Sequence, residues 1–234
     1  AADTVSRTLF NRLAERTGWT ITIENRPAAA GAVAAGAVAR AAADGYTILY
    51  DAPAFSVNPS LFGTRLPYDW QRDFAPVFLS MQAPNTILAN NDFGPRSIRA
   101  LIDAAKAAPG RIDAGSSGTG SAQHITLELF NAMAGVRINH IVYREAAATR
   151  TDLLGGRIQL QFSNVPNSVS VRRSGVARIL GQSAPQRVPV MPDVEAIAET
   201  LPGFETWEWN GVCFPAGTPA DIIAELRTGA LSGI

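Results

Sequence analysis

The chain has 234 residues, of which 47% are hydrophobic and 17% charged, and its formal net charge at pH 7 is zero. This composition fits a globular protein with a sizeable core, and the neutral charge gives no overall attraction to nucleic acid or to an anionic membrane. Two histidines and one cysteine, Cys213, exclude an internal disulfide and are too few for a structural zinc site. No apolar run is long enough to cross a membrane.

The first third of the chain is predicted from hydrophobic spacing and turn residues. Val5, Leu9 and Leu13 recur at helical intervals before Gly18, so the sequence opens inside a helical pattern and we expect further residues, including a signal peptide, before Ala1. In order, this part predicts a helix up to Gly18, a strand over 19–24, a helix over 31–43, a strand over 46–50 and a proline-rich loop over 51–76.

The rest of the chain alternates predicted strands and helices. Strands are predicted over 77–79, 86–89, 111–114, 137–142, 157–162, 176–181 and 207–214, and helices over 97–108, 121–134, 146–154, 166–173, 193–199 and from Pro219 onward. Such alternation indicates an α/β fold in which mostly parallel sheets are flanked by helices. The strand–helix repeats over about 90–200 and the similar flanks predict two lobes, one formed by 1–85 plus 208–234 and the other by 86–207.

A glycine- and serine-rich turn at 115–124 joins a predicted strand to a predicted helix. Its Gly118-Thr119-Gly120 resembles the start of a dinucleotide fingerprint, but Gln123 stands where the third glycine belongs. As a nucleophile elbow, the turn misses the second glycine by one position. The helix N-terminus and small hydroxyl side chains can hold a carboxylate, or they can simply cap their own helix. The residue types alone leave these last two interpretations open.

Histidine and acidic side chains offer weaker catalytic signals. Ser117 or Ser121 with His124 is compatible with an α/β serine hydrolase, although a histidine hydrogen-bonded to a neighbouring loop is the simpler interpretation. His140 lies within an apolar strand pattern and is predicted to be structural. No spacing of Asp or Glu requires a paired-carboxylate reaction. These residues leave the serine hydrolase open as an alternative and indicate no metal and no cofactor. That the protein has no catalytic activity is implied only by the family resemblance below.

Short phrases along nearly the whole chain resemble the tripartite tricarboxylate transporter receptor family, also called Bug or TctC-like solute-binding proteins. The matching phrases are ENRP at 24–27, AAAGA at 28–32, DGYTIL at 44–49, NPSL at 58–61, PYD at 67–69, RDFAPV at 72–77, SSGTGS at 116–121 with His124, ELF at 128–130, HIVY at 140–143, DLLGG at 152–156 and FPAGTP at 214–219. The phrases occur in the family's order.

The resemblance implies a two-lobed, Venus-flytrap receptor in the periplasm, exported by a signal peptide that this chain does not include. It implies a ligand that is a small organic carboxylate, such as a dicarboxylate, a tricarboxylate, an acidic amino acid or an aromatic acid. The implied partners are that ligand and the membrane permease subunits of a tripartite tricarboxylate transporter. We expect a monomer with no nucleic-acid partner.

The resemblance also implies which positions bind the ligand, through backbone amides and small hydroxyl groups. These positions are Asp3, Ala52, Ala54, Phe55, Ser117, Gly118, Thr119, Gly120, Ser121, His124, Tyr143, Ala146, Ala147, Ser163 and Asn164. Two positions depart from the family pattern. Glu145 stands where glycine is usual and brings a negative charge near the expected carboxylate, and Ser163 replaces a common aspartate.

Overall fold

The computed structural model describes residues 2–26, 28–143 and 146–231, and the chain divides into two compact units. The first unit runs up to Gln82 and resumes at Trp209, and the second is Ala83–Glu208. In chain order the elements are α1 (Ala2–Thr17), α2 (Ala32–Ala39), β1 (Leu49–Asp51), α3 (Ala54–Phe62), β2 (Phe74–Ala89), α4 (Ile98–Ala107), β3 (Asp113–Ser116), α5 (Ala122–Ala134), β4 (Asn139–Val142), α6 (Ala146–Leu154), β5 (Leu160–Asn164), α7 (Val165–Ser174), β6 (Arg178–Gln182), β7 (Trp207–Pro215) and α8 (Ala220–Leu231). None of the described helices is long and apolar enough to span a membrane.

The first unit contains a small sheet in the order β1-β7-β2, in which β1 and β7 run antiparallel. On one side of its core, Phe10 and Leu13 of α1 pack with Val212 and Phe214 of β7. A second cluster surrounds Phe55, Tyr68 and Phe74, whose rings contact one another at centroid distances of 5.1–5.7 Å. These clusters hold the start of α3 in place after β1.

Three predictions for residues 19–89 are corrected by the structure. The stretch 19–24 forms no strand, because no described strand supplies its backbone with a ladder of hydrogen bonds. The proline-rich loop contains α3, which accommodates Pro59 at the cost of one backbone donor. The short strands predicted at 77–79 and 86–89 are parts of the 16-residue strand β2.

The second unit has a sheet in the order β2-β5-β3-β4, with β6 also paired to β2. Strand β3 pairs in parallel with both β4 and β5, whereas β2 runs antiparallel to β5 and β6. The α/β class is therefore confirmed with mixed sheets, because the long strand β2 enters this unit antiparallel to its neighbours. The core packs around Phe130, Phe162 and Phe204, each at most 1% exposed.

Candidate functional site

The parallel strands β3, β5 and β4 end at the same edge of the second unit, and each is followed by a helix. Ser116 ends β3 and pairs with Val142 at the end of β4, while Gly115 pairs with Gln161 of β5. This edge therefore collects the predicted positions Ser117, Gly118, Thr119, Gly120, Ser121 and His124 after β3, Tyr143, Ala146 and Ala147 after β4, and Ser163 and Asn164 at the end of β5. Open α/β sheets bind ligands at such edges.

Several hydrogen-bonding groups in the turn before α5 are paired with one another. Ser121 is the N-cap: its Oγ accepts from the His124 amide at 3.2 Å and donates to the Gly118 carbonyl at 2.7 Å. The Gly120 amide donates to Nδ1 of His124 at 3.1 Å. Self-capping is therefore real, but it does not use every donor in the turn.

Several main-chain donors of the turn have no partner among the residues that the structure describes. Within residues 116–124, all described, no acceptor is paired with the amides of Thr119, Ala122 or Gln123. Ala122 and Gln123 are the first two residues of α5, where the helix leaves donors unsatisfied and carries partial positive charge. Gly118 has φ of 134°, and a Cβ added there would meet nothing within 4 Å. The turn can thus bring an anion close to bare backbone.

The two histidines lie together under this turn, which the sequence did not predict. Their rings stack with centroids 4.1 Å apart, and Nε2 of His140 lies 2.6 Å from Oγ of Ser116. Burial, and then the nearby charge of His124, lower the pKa of His140 to about 4, so its ring is neutral at pH 7. The predicted structural role of His140 is therefore extended to orienting the end of β3.

The geometry does not provide the serine hydrolase that the sequence left open. Ser121 Oγ is engaged in capping, and Ser117 Oγ donates to Oε1 of Gln123 at 3.1 Å, so neither is paired with the His124 ring. His124 Nδ1 already accepts from the backbone. Because a serine nucleophile needs a hydrogen-bonded base, the pairs proposed from sequence lack the required contact.

The positions after β4 and β5 have mixed roles. Tyr143 donates its hydroxyl to Asp152 at 2.7 Å, and burial, followed by this contact, raises the pKa of Tyr143 to about 12. Ala147 is exposed, and the Arg144 and Glu145 positions lie outside the described residues, as does the side chain of Ala146. Asn164 caps α7 by accepting from the Asn167 amide at 3.1 Å, and Ser163 is 5% exposed.

A buried polar network behind the turn was missed by sequence reasoning. Gln123 donates through Nε2 to Glu208 Oε2 at 2.7 Å and to Asn85 Oδ1 at 3.1 Å. Burial raises the pKa of Glu208, and the hydrogen bond from Gln123 opposes that rise. These residues lie 38 and 85 positions from Gln123 in the chain, so no local pattern could have joined them.

The remaining predicted positions belong to the first unit. Asp3 is paired with Arg7 at 3.0 Å and accepts from Asn25 at 2.7 Å, and these contacts lower its pKa. Ala52 and Ala54 lie at the start of α3, where the Ala52 amide donates to Asp51 Oδ1 at 2.8 Å. Phe55 stacks on Tyr68 with ring centroids 5.7 Å apart.

Asp51 and Phe55 also line a cavity of about 400 Å³ in the first unit, together with apolar residues of β2 and β7. Oδ2 of Asp51 is buried and has no partner within residues 2–26, 28–143 and 146–231, and burial raises the pKa of this carboxyl to about 7. Among the described residues, no group of three or more His, Cys, Asp or Glu side chains could hold a metal ion.

A family model described as the tripartite tricarboxylate transporter family receptor matches residues 5–233. The chain is 33% identical to a protein encoded in the tcbD–tcbE intergenic region of Pseudomonas sp. over 229 residues, which cover 97% of this chain and 68% of that protein. It is 32% identical to protein BugT of Bordetella pertussis over 97% of this chain and 70% of that one. The chain thus spans about two thirds of the length of these relatives.

Solved structures of similar proteins include two with ligands in their names. Rpa4515 of R. palustris with adipate is 34% identical, with a TM-score of 0.88 over 97% of this chain and 77% of that one. MatC from Rhodopseudomonas palustris with bound malate is 28% identical, with a TM-score of 0.87 over 99% and 79% of the two chains. The periplasmic binding protein BugD is 31% identical, with a TM-score of 0.86 over 99% and 78%.

Proposed function

Because the chain belongs to the tripartite tricarboxylate transporter receptor family, we propose that it binds a small organic carboxylate outside the cytoplasm. The observation that carries this proposal is the turn before α5, whose free amides at Thr119, Ala122 and Gln123 suit a carboxylate. The bound acids of two similar proteins, adipate and malate, support the same ligand class.

The carboxylate binds the amides at the start of α5, with the hydroxyl group of Thr119 as a further donor. A hydrogen bond to a charged group contributes about 1.5–3 kcal/mol, so two or three of them are enough to orient a small acid. Gly118 has no side chain to obstruct the approach. Among the predicted positions of the second unit, Tyr143, Ser163 and Asn164 contribute to ligand selection.

The receptor delivers its ligand to the membrane permease subunits of a tripartite tricarboxylate transporter, acts in the periplasm and is a monomer. We propose no catalytic role, since the family is one of receptors and the serine–histidine pairs suggested by sequence lack contact. Size-exclusion chromatography with light scattering tests the monomer, and co-purification with permease subunits of a tripartite tricarboxylate transporter tests the partnership.

A thermal-shift screen against organic acids tests ligand binding. A ligand at 100 times its Kd stabilises the folded state by about 2.7 kcal/mol, which corresponds to a rise in Tm of about 5–10 °C for a chain of this size. The panel contains mono-, di- and tricarboxylates, acidic amino acids and aromatic acids at equal ionic strength, and calorimetry follows each hit. A flat response across the whole panel would contradict the proposal.

The Gly118→Asp variant tests where the carboxylate binds. We expect it to abolish binding, because its carboxylate would occupy the open space above the turn and repel the ligand. Gly118→Asn is the matched control, since it has nearly the same size and the same backbone cost at φ of 134° without the charge. Equal affinities in the two variants, measured by calorimetry, would count against this placement.

A further inference from the structure

Glu208 is a buried acidic side chain to which no cationic side chain of the described residues is paired. It is 7% exposed, and none of the ion pairs among the described residues includes it. Gln123 donates to Oε2 at 2.7 Å, but no donor in the described part of the chain is paired with Oε1. Only Oε2 of Glu208 is engaged among the described residues, so Oε1 can accept a hydrogen bond from a donor outside the protein.

Gln123 ties this carboxyl to the turn that offers its amides. Gln123 is the second residue of α5, and its Oε1 accepts from Ser117 at 3.1 Å while its Nε2 serves both Glu208 and Asn85. The Asn85 side chain is itself held, because its Nδ2 donates to Thr206 at 3.4 Å. The carboxyl of Glu208 is therefore fixed next to the first turn of α5, entirely within the second unit.

The charges at this place do not balance when an anion binds alone. A ligand carboxylate on the α5 amides would add a second negative charge close to Glu208, and burial already opposes ionisation of that residue by raising its pKa. A positive group on the ligand would offset both the repulsion between the two carboxylates and the cost of ionising the buried Glu208. A hydroxyl group would satisfy Oε1 but would leave the charge uncompensated.

We propose that Glu208 binds the ammonium group of an α-amino acid whose carboxylate lies on the free amides of α5. This subsite rests on the proposed function and narrows its ligand class from carboxylates to amino acids. The ammonium supplies three donors, of which Glu208 Oε1 takes one. Gln123 then acts as a positioning residue that holds the carboxyl through Oε2.

Calorimetry with matched ligands tests the subsite on the whole chain. One series is L-aspartate, L-malate and succinate, which share four carbons and differ in the group beside one carboxylate. The other is L-phenylalanine, L-phenyllactate and 3-phenylpropionate. In the series that binds, we expect the amino acid to bind about 10- to 100-fold more tightly than its two analogues, as for a hydrogen bond between charged groups.

Two glutamine variants separate the charge of Glu208 from a general effect. Glu208→Gln is expected to bring the amino acid down to the affinity of its analogues, whereas Glu205→Gln, an exposed residue three positions earlier, is expected to change nothing. Urea unfolding of each variant verifies that it is folded. If Glu208→Gln does not fold, the ligand series on the wild type still decides whether the amino acid is preferred.

The outcomes distinguish this subsite from the proposed function. If an analogue binds as tightly as its amino acid, or if the preference survives in folded Glu208→Gln, the subsite is wrong while carboxylate binding stands. If none of the carboxylates in either series or in the broad screen binds the wild type, both proposals are wrong. An amino-acid preference that disappears only with Glu208→Gln supports both.

Discussion

Asp51 ends β1, and in the described part of the chain its carboxyl group has a single donor, the Ala52 amide at 2.8 Å. Its Oδ2 is buried with no partner in that same part of the chain, and burial raises the pKa of Asp51 from 3.8 to about 7. The folded chain therefore holds a proton on Asp51 at pH values where the unfolded chain has released it. Stability from this proton is fully present below about pH 4 and is lost as the pH rises through about 7.

The Asp51→Asn variant is expected to flatten this dependence, because an amide has no proton to release. Between pH 4 and pH 8 the wild type should lose on the order of 4 kcal/mol more unfolding free energy than the variant, measured by urea denaturation. Asp221→Asn, in the exposed first turn of α8, is the control and should follow the wild-type curve. Parallel curves for wild type and Asp51→Asn would contradict the buried carboxyl.

The roles of some single residues could be predicted from the sequence, and the roles of others could not. Ser97 and Ser121 were predicted to begin helices, and both accept the expected backbone hydrogen bond. The contact between Ser116 and His140 joins positions 24 apart and depends on the parallel pairing of β3 and β4. A helix cap depends on residues within one helical turn, so the local sequence predicts it. A contact such as that between Ser116 and His140 forms only when the strands that carry the two residues pair.

Helix α5 shows how one element combines stability with a binding surface. Replacing Ser121 by Ala removes its N-cap, and we expect a loss of about 1 kcal/mol in unfolding free energy. Ser97→Ala removes the matching cap of α4 and should cost about the same. Because Ser121, unlike Ser97, donates to the Gly118 carbonyl of the turn, ligand affinity measured by calorimetry should fall in Ser121→Ala and stay unchanged in Ser97→Ala. If the wild type and Ser121→Ala bind the ligand with equal affinity, the Ser121 cap does not contribute to the binding site.

Whole elements were predictable where their signal is local. The helices α4, α5 and α8 lie within one residue of their predicted starts, because serine or proline marks each beginning. Strand β3 was displaced by two residues, since Gly115 and Ser116 resemble loop residues but pair with β4. The sequence predicted two short strands in place of the continuous strand β2, because the prolines of β2 resemble strand breaks. The stretch 19–24 has the pattern of a strand but lacks a neighbouring strand to pair with among the described residues.

At the scale of the whole molecule, the second unit is a single continuous segment and the first is not. We expect residues 83–208 expressed alone to unfold cooperatively in urea, because the core around Phe130, Phe162 and Phe204 lies within that segment. Phe162→Ala should then cost about 3–5 kcal/mol. The fragment 1–82 is the control and should lack a cooperative transition, since β1 pairs with β7. A gradual unfolding curve for 83–208 would contradict this independence.

The insertion of one unit within the other also has a consequence in time. A ribosome finishes the whole of Ala83–Glu208 before it makes Trp209, so the inserted segment can fold while the earlier one still waits for β7 and α8. At ordinary elongation rates that wait lasts on the order of ten seconds. During this interval, β1 and its apolar neighbours lack the partners that β7 and α8 will supply. This segment would therefore be a substrate for a holding chaperone.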